Sequence, residues 1–179
     1  MGLLDNPKAD AKPIGEAMAS AKNGTPTVDD ILSDPAVKAA IAKPEIDNTH
    51  DVPYLAGASN EGTLTHIDRR VPQFDPKLKD NQGELADLWK YLNIHEQTER
   101  EAMARGMPYE AAHLDIATKA ERAAVEADGV NWGKYERIMD GYLNGTEHEN
   151  PKNPPKDLYL KPYPHDKQEI LRRHEANSK

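Results

Sequence analysis

Apolar residues recur at helical spacing in three stretches in the middle of the chain. Leu85, Leu88, Trp89, Leu92 and Met103 share one face of a helix predicted from about Gly83 to Arg105 and stopped at Gly106. Tyr109, Ile116, Ala117, Ala120 and Ala124 share a face of a second helix, from near Pro108 to Gly129; its small side chains let another element approach closely. Trp132, Tyr135, Met139 and Tyr142 mark a third helix over 132–143 and read as a core-packing stripe. Ahead of these, Tyr54–Asp68 reads as two short strands around the turn Asn60-Glu61-Gly62, a hairpin. Gln73–Asn81, with Pro76, several charges and Pro72 just ahead of it, reads as a loop.

Proline marks the limits of the core. Of 14 prolines only Pro72, Pro76 and Pro108 fall between Tyr54 and Asn150, and both tryptophans fall inside that block, which can therefore bury large apolar groups. The folded domain is predicted at 54–145. Residues 1–53 form an N-terminal arm with short helices near 13–21 and at 35–43, the latter opened by Ser33-Asp34-Pro35 and stopped by Pro44. Residues 146–179 form a Pro- and Lys-rich tail with one terminal helical stretch at 166–175. The arms read either as linkers or as straps around a neighbouring subunit. The predicted fold class is α+β: a small hairpin or sheet packed on a three-helix core, with extended Pro-rich N- and C-terminal arms.

Composition narrows the chemistry. The 179 residues carry a formal net charge of −8, which argues against a nucleic-acid partner, since such proteins need a basic stripe to release counterions. No cysteine is present, so any metal must be held by histidines and carboxylates. No apolar run approaches the roughly 20 residues of a membrane span, and no secretion signal is expected. His50, His66, His148, His165 and His174 fall in turns, strand or tails and read as ordinary solvated residues.

Three charged residues fall on the face that should be buried. With Leu92 at the centre of the first helix's stripe, His95 lies at about −60°, Glu96 at about +40° and Glu99 at about −20°. On the second helix His113 is central, with Glu110 and Glu121 beside it at about +60° and +80°. A buried, unpaired carboxylate costs several kcal/mol, so these groups need partners. Antiparallel helices joined near Gly106 would bring the two faces together. A divalent metal explains the grouping: His95 and Glu99 chelate from one helix face, His113 supplies a third ligand, and Glu96 is placed to take a proton from water. Glu121 is a further ligand or a support for one. A metal-free hydrogen-bond network, joined by Arg100 or Arg122, accounts for the same residues. Glu110-Ala111-Ala112-His113 also fits the Glu-x-x-His of di-iron bundles, but that fold needs a second copy, which is missing.

His95-Glu96-Gln97-Thr98-Glu99 resembles the His-Glu-x-x-His helix of zinc peptidases, with glutamate in place of the second histidine. The hairpin at Tyr54–Asp68 is similar to the edge strands that precede the active helix in zincin-like folds. The wider pattern, from Asp51-Val52-Pro53-Tyr54-Leu55-Ala56-Gly57 and Ile67-Asp68-Arg69 through His95-Glu96 to Ala112-His113, Ala117-Thr118 and Glu121, resembles a group of phage and prophage proteins. This resemblance covers about 51–143. It implies zinc as the ion, His95 and Glu99 among its ligands, Glu96 as general base, and a metallopeptidase or amidase reaction. It also implies a location in the virion or the host cytoplasm. The alternative is a non-enzymatic virion structural protein whose arms contact other phage proteins or further copies of itself.

Overall fold

Polar caps and turn glycines set where each element begins and ends. The computed structural model describes residues 24–147 and 152–160. In α1 (Val28–Leu32) the Thr27 hydroxyl accepts from the Asp30 amide while the Asp30 carboxylate accepts from the Thr27 amide, a reciprocal cap. α2 (Pro35–Ala42) starts as the sequence predicts, with Asp34 accepting from the Ala36 amide and proline in the first helical position. β1 (Glu45–Asp47) follows. β2 (Ala56–Ala58) and β3 (Leu64–Ile67) form the predicted hairpin, antiparallel with Ala58 opposite Thr65, and its turn passes through Gly62 at φ +72°. β1 pairs parallel to the other edge of β3, giving the strand order β1-β3-β2.

The stretch expected as a loop is a strand. β4 (Phe74–Lys79) pairs antiparallel with β5 (Leu85–Asp87), and the register shifts between Phe74 and Lys79, an irregularity that accommodates Pro76. The Asp80 carboxylate accepts from the Gln82 and Glu84 amides to close the connecting turn. The first long helix, α3 (Leu88–Ala104), therefore starts later than predicted, where Asp87 accepts from the Lys90 amide. Leu85, expected on its core stripe, is an exposed strand residue. The second predicted helix is divided into α4 (Tyr109–Ala111), a π-helix (Ala112–Ala117) and α5 (Thr118–Ala127). α6 (Trp132–Glu147) is the third.

The result, among the described residues, is a mixed α/β fold with two small sheets. Its main core joins Leu55, Ile67, Leu88, Tyr91, Val125 and Tyr135, drawn from the hairpin, α3, α5 and α6. A second core joins Ile31 and Val37 to Ala102, Met107, Ala112 and Ile116. Residues 28–47, drawn from the sequence as part of an arm, thus pack on α3 and complete the sheet. A buried polar ladder fixes α3 against the sheet. The Thr65 hydroxyl donates to Asn93 (2.8 Å) and accepts from Gln97 (3.1 Å), while the Asn93 amide donates to the Ala40 carbonyl (3.2 Å). That contact turns His95 and Glu99, on the opposite face of α3, toward the π-helix.

Of the predicted tail, residues 152–160 run back to the sheet, and Leu158 bridges Ser59 in antiparallel fashion. The helices expected at 13–21 and 166–175, and the rest of residues 1–23, 148–151 and 161–179, lie outside the described residues. No helix among the described residues is long and apolar enough to cross a membrane.

Candidate metal centre

α3 and the π-helix lie against one another because Ala112 and Ala117 present almost no side chain at the contact, and both are fully buried. Across this seam His95 Nε2, Glu99 Oε2 and His113 Nδ1 all fall within 4.8 Å of one another. His113 Nδ1 is 2.6 Å from Glu99 Oε2 and 3.1 Å from His95 Nε2, and His95 Nε2 is 3.5 Å from Glu99 Oε2. His95 and Glu99 are buried, whereas the His113 side chain is 37% exposed and opens the centre to solvent on that side. The Thr118 amide and hydroxyl both donate to the His113 carbonyl, the i+5 pattern of a π-turn, a distortion that recurs at functional sites.

Glu121 is not among the three converging atoms. Its Oε2 meets the outer nitrogen of His95, Nδ1, at 2.9 Å, and its Oε1 accepts a 2.5 Å hydrogen bond from the Tyr135 hydroxyl. A carboxylate on Nδ1 holds a proton there and turns Nε2 toward the centre, the arrangement by which metal-binding histidines are oriented. Tyr135, read from the sequence only as core packing, extends this chain by one member. Its hydroxyl titrates well above the ordinary range because it is buried and faces the Glu121 charge.

Burial alone would lower the pKa of His95, but the hydrogen bonds to Glu121 and Glu99 outweigh it and hold the imidazole well above its ordinary value. Glu99 is held below its ordinary value, because the bonds from His113 and His95 overcome its burial. Glu96 is displaced the other way. Burial raises it, and the Glu99 charge raises it further. Its carboxylate does not point into the triad with the other donors; it accepts from the Ala58 amide on β2 and borders a cavity of about 20 Å³ shared with Glu99 and Arg100. That volume is enough for one water. Glu110 takes no part in any of these contacts.

A second group was not anticipated. Asp47, His50 and His66 also bring three donor atoms together, and His66, expected in solvent, is buried. The Asp47 carboxylate receives His50 Nδ1 at 2.5 Å and His66 Nδ1 at 3.1 Å, while His66 Nε2 reaches Asp157 at 2.9 Å. The signal in the sequence was the alternation of β3, which puts Thr65 and Ile67 on one face and His66 on the other, beside β1. Burial tends to raise Asp47, but hydrogen bonds from Thr49, His50 and His66 prevail and hold it at about 2. A carboxylate held low stabilises the fold above its ordinary pKa near 3.8 and loses that contribution as the pH falls through about 2. Asp47→Asn should therefore cost about 1–2 kcal/mol at neutral pH, allowing for solvent screening, with the gap to the parent closing between about pH 4 and 2. Urea unfolding at several pH values measures this; a gap that widens in acid would contradict it.

Comparison with known protein families, with curated proteins and with solved structures finds no match to this chain.

Proposed function

We propose that the protein is a metal-dependent hydrolase of amide or peptide bonds, with a zincin-like arrangement of hairpin and active helix. The observation that carries this reading is the convergence of His95 Nε2, Glu99 Oε2 and His113 Nδ1, with the outer nitrogen of His95 already engaged by Glu121. Two imidazoles and one carboxylate suit zinc and similar divalent ions. A divalent ion supplies Lewis acidity toward a carbonyl oxygen and makes a nearby water more acidic. The chain's own residues do the rest. Glu121 and Tyr135 hold the His95 ring in orientation, and the exposed side of His113 admits water. Glu96, anchored by the Ala58 amide beside a water-sized cavity and pushed up to about 8 by burial and the Glu99 charge, accepts a proton at its carboxylate once the pH rises through that value. The second group also has an outer carboxylate, Asp157 on His66 Nε2, but among the described residues the water-sized cavity lies beside Glu96 and Glu99 and not beside that group. The resemblance to phage and prophage proteins supports a virion or an infected host cell as the setting.

The 2.6 Å contact between His113 and Glu99 favours a second reading, in which the same residues form a metal-free network that pins α3 to the π-helix. The protein would then serve as a non-enzymatic structural component. Metal content of native, untagged protein decides between them. About one equivalent of bound metal, absent from His95→Ala/Glu99→Ala but retained in Asp47→Ala/His50→Ala, is expected for the hydrolase. No metal in any of the three proteins would move the assignment to the structural reading.

A further inference from the structure

We propose that the outer edge of β2 is a docking strand for an extended peptide, and that the chain's own Asp157–Leu160 segment occupies it as an internal competitor. This rests on the hydrolase reading and names its substrate class. The segment joins the sheet edge through an antiparallel bridge: the Tyr159 amide donates to the Ala58 carbonyl (2.8 Å) and the Asn60 amide donates to the Asp157 carbonyl (2.7 Å). Such pairing takes any extended backbone, and side-chain pockets then choose among peptides.

One such pocket is present. At Gly57 a Cβ would lie 2.5 Å from Leu158 Cδ1, so the absence of a side chain there is what lets Leu158 cross β2. Leu158 packs with Leu160 and Val52 in a small apolar cluster separate from both main cores. The segment also stands in front of the proposed chemistry. Leu158, Tyr159 and Leu160 form one side of the water-sized cavity whose other side includes Glu96 and Glu99. Ala58 joins the two, with its carbonyl on Tyr159 and its amide on Glu96. Arg100 borders the same cavity, and its buried Nε–H has no hydrogen-bond partner among the described residues; a peptide carbonyl would supply one.

The segment is held by latches outside the groove. The Asp51 carboxylate accepts from the Lys152 and Asn153 amides, and His66 reaches Asp157. A peptide can therefore replace Leu158–Leu160 without disturbing the sheet. The ligand is an extended peptide running antiparallel to β2, with an aliphatic side chain at the position of Leu158.

The test uses the full chain and a fluorescein-labelled peptide Lys-Asp-Leu-Tyr-Leu, read by anisotropy in the presence of a chelator. Leu158→Asp/Leu160→Asp should bind the peptide at least about tenfold tighter than the parent, because an occupied groove lowers apparent affinity by the fraction that stands open. Ser59 and Leu158 form a non-hydrogen-bonded antiparallel pair, the spacing that accepts a disulfide, and the chain has no cysteine to interfere. Ser59→Cys/Leu158→Cys should bind no peptide when oxidised and should regain binding on reduction, which keeps the test valid should the aspartate variant unfold. Equal binding by oxidised and reduced forms, or no gain in a folded aspartate variant, would overturn the inference. Because the chelator removes metal from every arm, these outcomes are independent of whether the hydrolase reading holds.

Discussion

Exchanging Glu96 for glutamine is expected to slow peptide hydrolysis by about 10²–10⁴-fold, the contribution a positioned general base makes. Metal content should stay as in the parent, because Glu96 is directed to the Ala58 amide and not into the triad. Glutamine keeps the shape and an oxygen for that amide but cannot take up the proton. Folding should not suffer. Burial and the Glu99 charge both oppose ionisation at this position, so removing the charge leaves the melting temperature unchanged or raised. Initial rates on a peptide mixture, followed by mass spectrometry beside a thermal melt, separate the two effects. An unchanged rate would remove Glu96 from the chemistry, and a loss of metal with it would make Glu96 a ligand.

The largest effect on stability is expected at Glu121. It is buried, and its two oxygens serve His95 Nδ1 and the Tyr135 hydroxyl, which are themselves enclosed. Glu121→Ala removes the acceptor from both and leaves a space between α3, α5 and α6. Breaking a buried pair in this way costs about 3–5 kcal/mol, a large share of the roughly 5–15 kcal/mol that holds a domain together. Glu121→Gln should recover most of the loss, because its carbonyl oxygen still accepts from Tyr135. Denaturant midpoints of the three proteins measure this, and an alanine variant within about 0.5 kcal/mol of the parent, the range of ordinary surface changes, would contradict the assigned contacts. In folded material, metal affinity should fall by about 10–100-fold, since the orientation of His95 is lost.

The parts of the fold written in local chemistry could be read in advance. Asp34-Pro35 announced α2, Asn60-Glu61-Gly62 announced the hairpin, and the periodicity of Leu88, Leu92 and Met103 announced α3 together with its inward His95 and Glu99. Features that depend on distant partners could not. β4 carries Asp75, Pro76, Lys77 and Lys79 and shows no strand signal of its own; it is a strand because β5 pairs with it and because Tyr142, far along the chain, donates to Asp75. The burial of His66 follows from β1 and Asp157, which lie 19 and 91 residues away from it. At the centre itself the residues were legible and their division of labour was not. A helical wheel ranks side chains by direction, and the distinction between His95 Nε2 facing the triad and Nδ1 facing Glu121 lies below that resolution.

The π-turn also acts on angle. His113 and Glu121 are eight residues apart, and in an uninterrupted α-helix they would project about 80° from one another. One wide turn between them winds the chain through less rotation per residue and absorbs most of that offset, so that both side chains reach α3, one at each nitrogen of His95. The centre is thus encoded partly as a phase. Every residue identity could be kept, and a single residue inserted beside the exposed Leu114 would still add about 100° of rotation and swing Glu121 away from His95. Susceptibility of this segment to changes in length, more than to changes in composition, is the mark that such an arrangement leaves on a sequence.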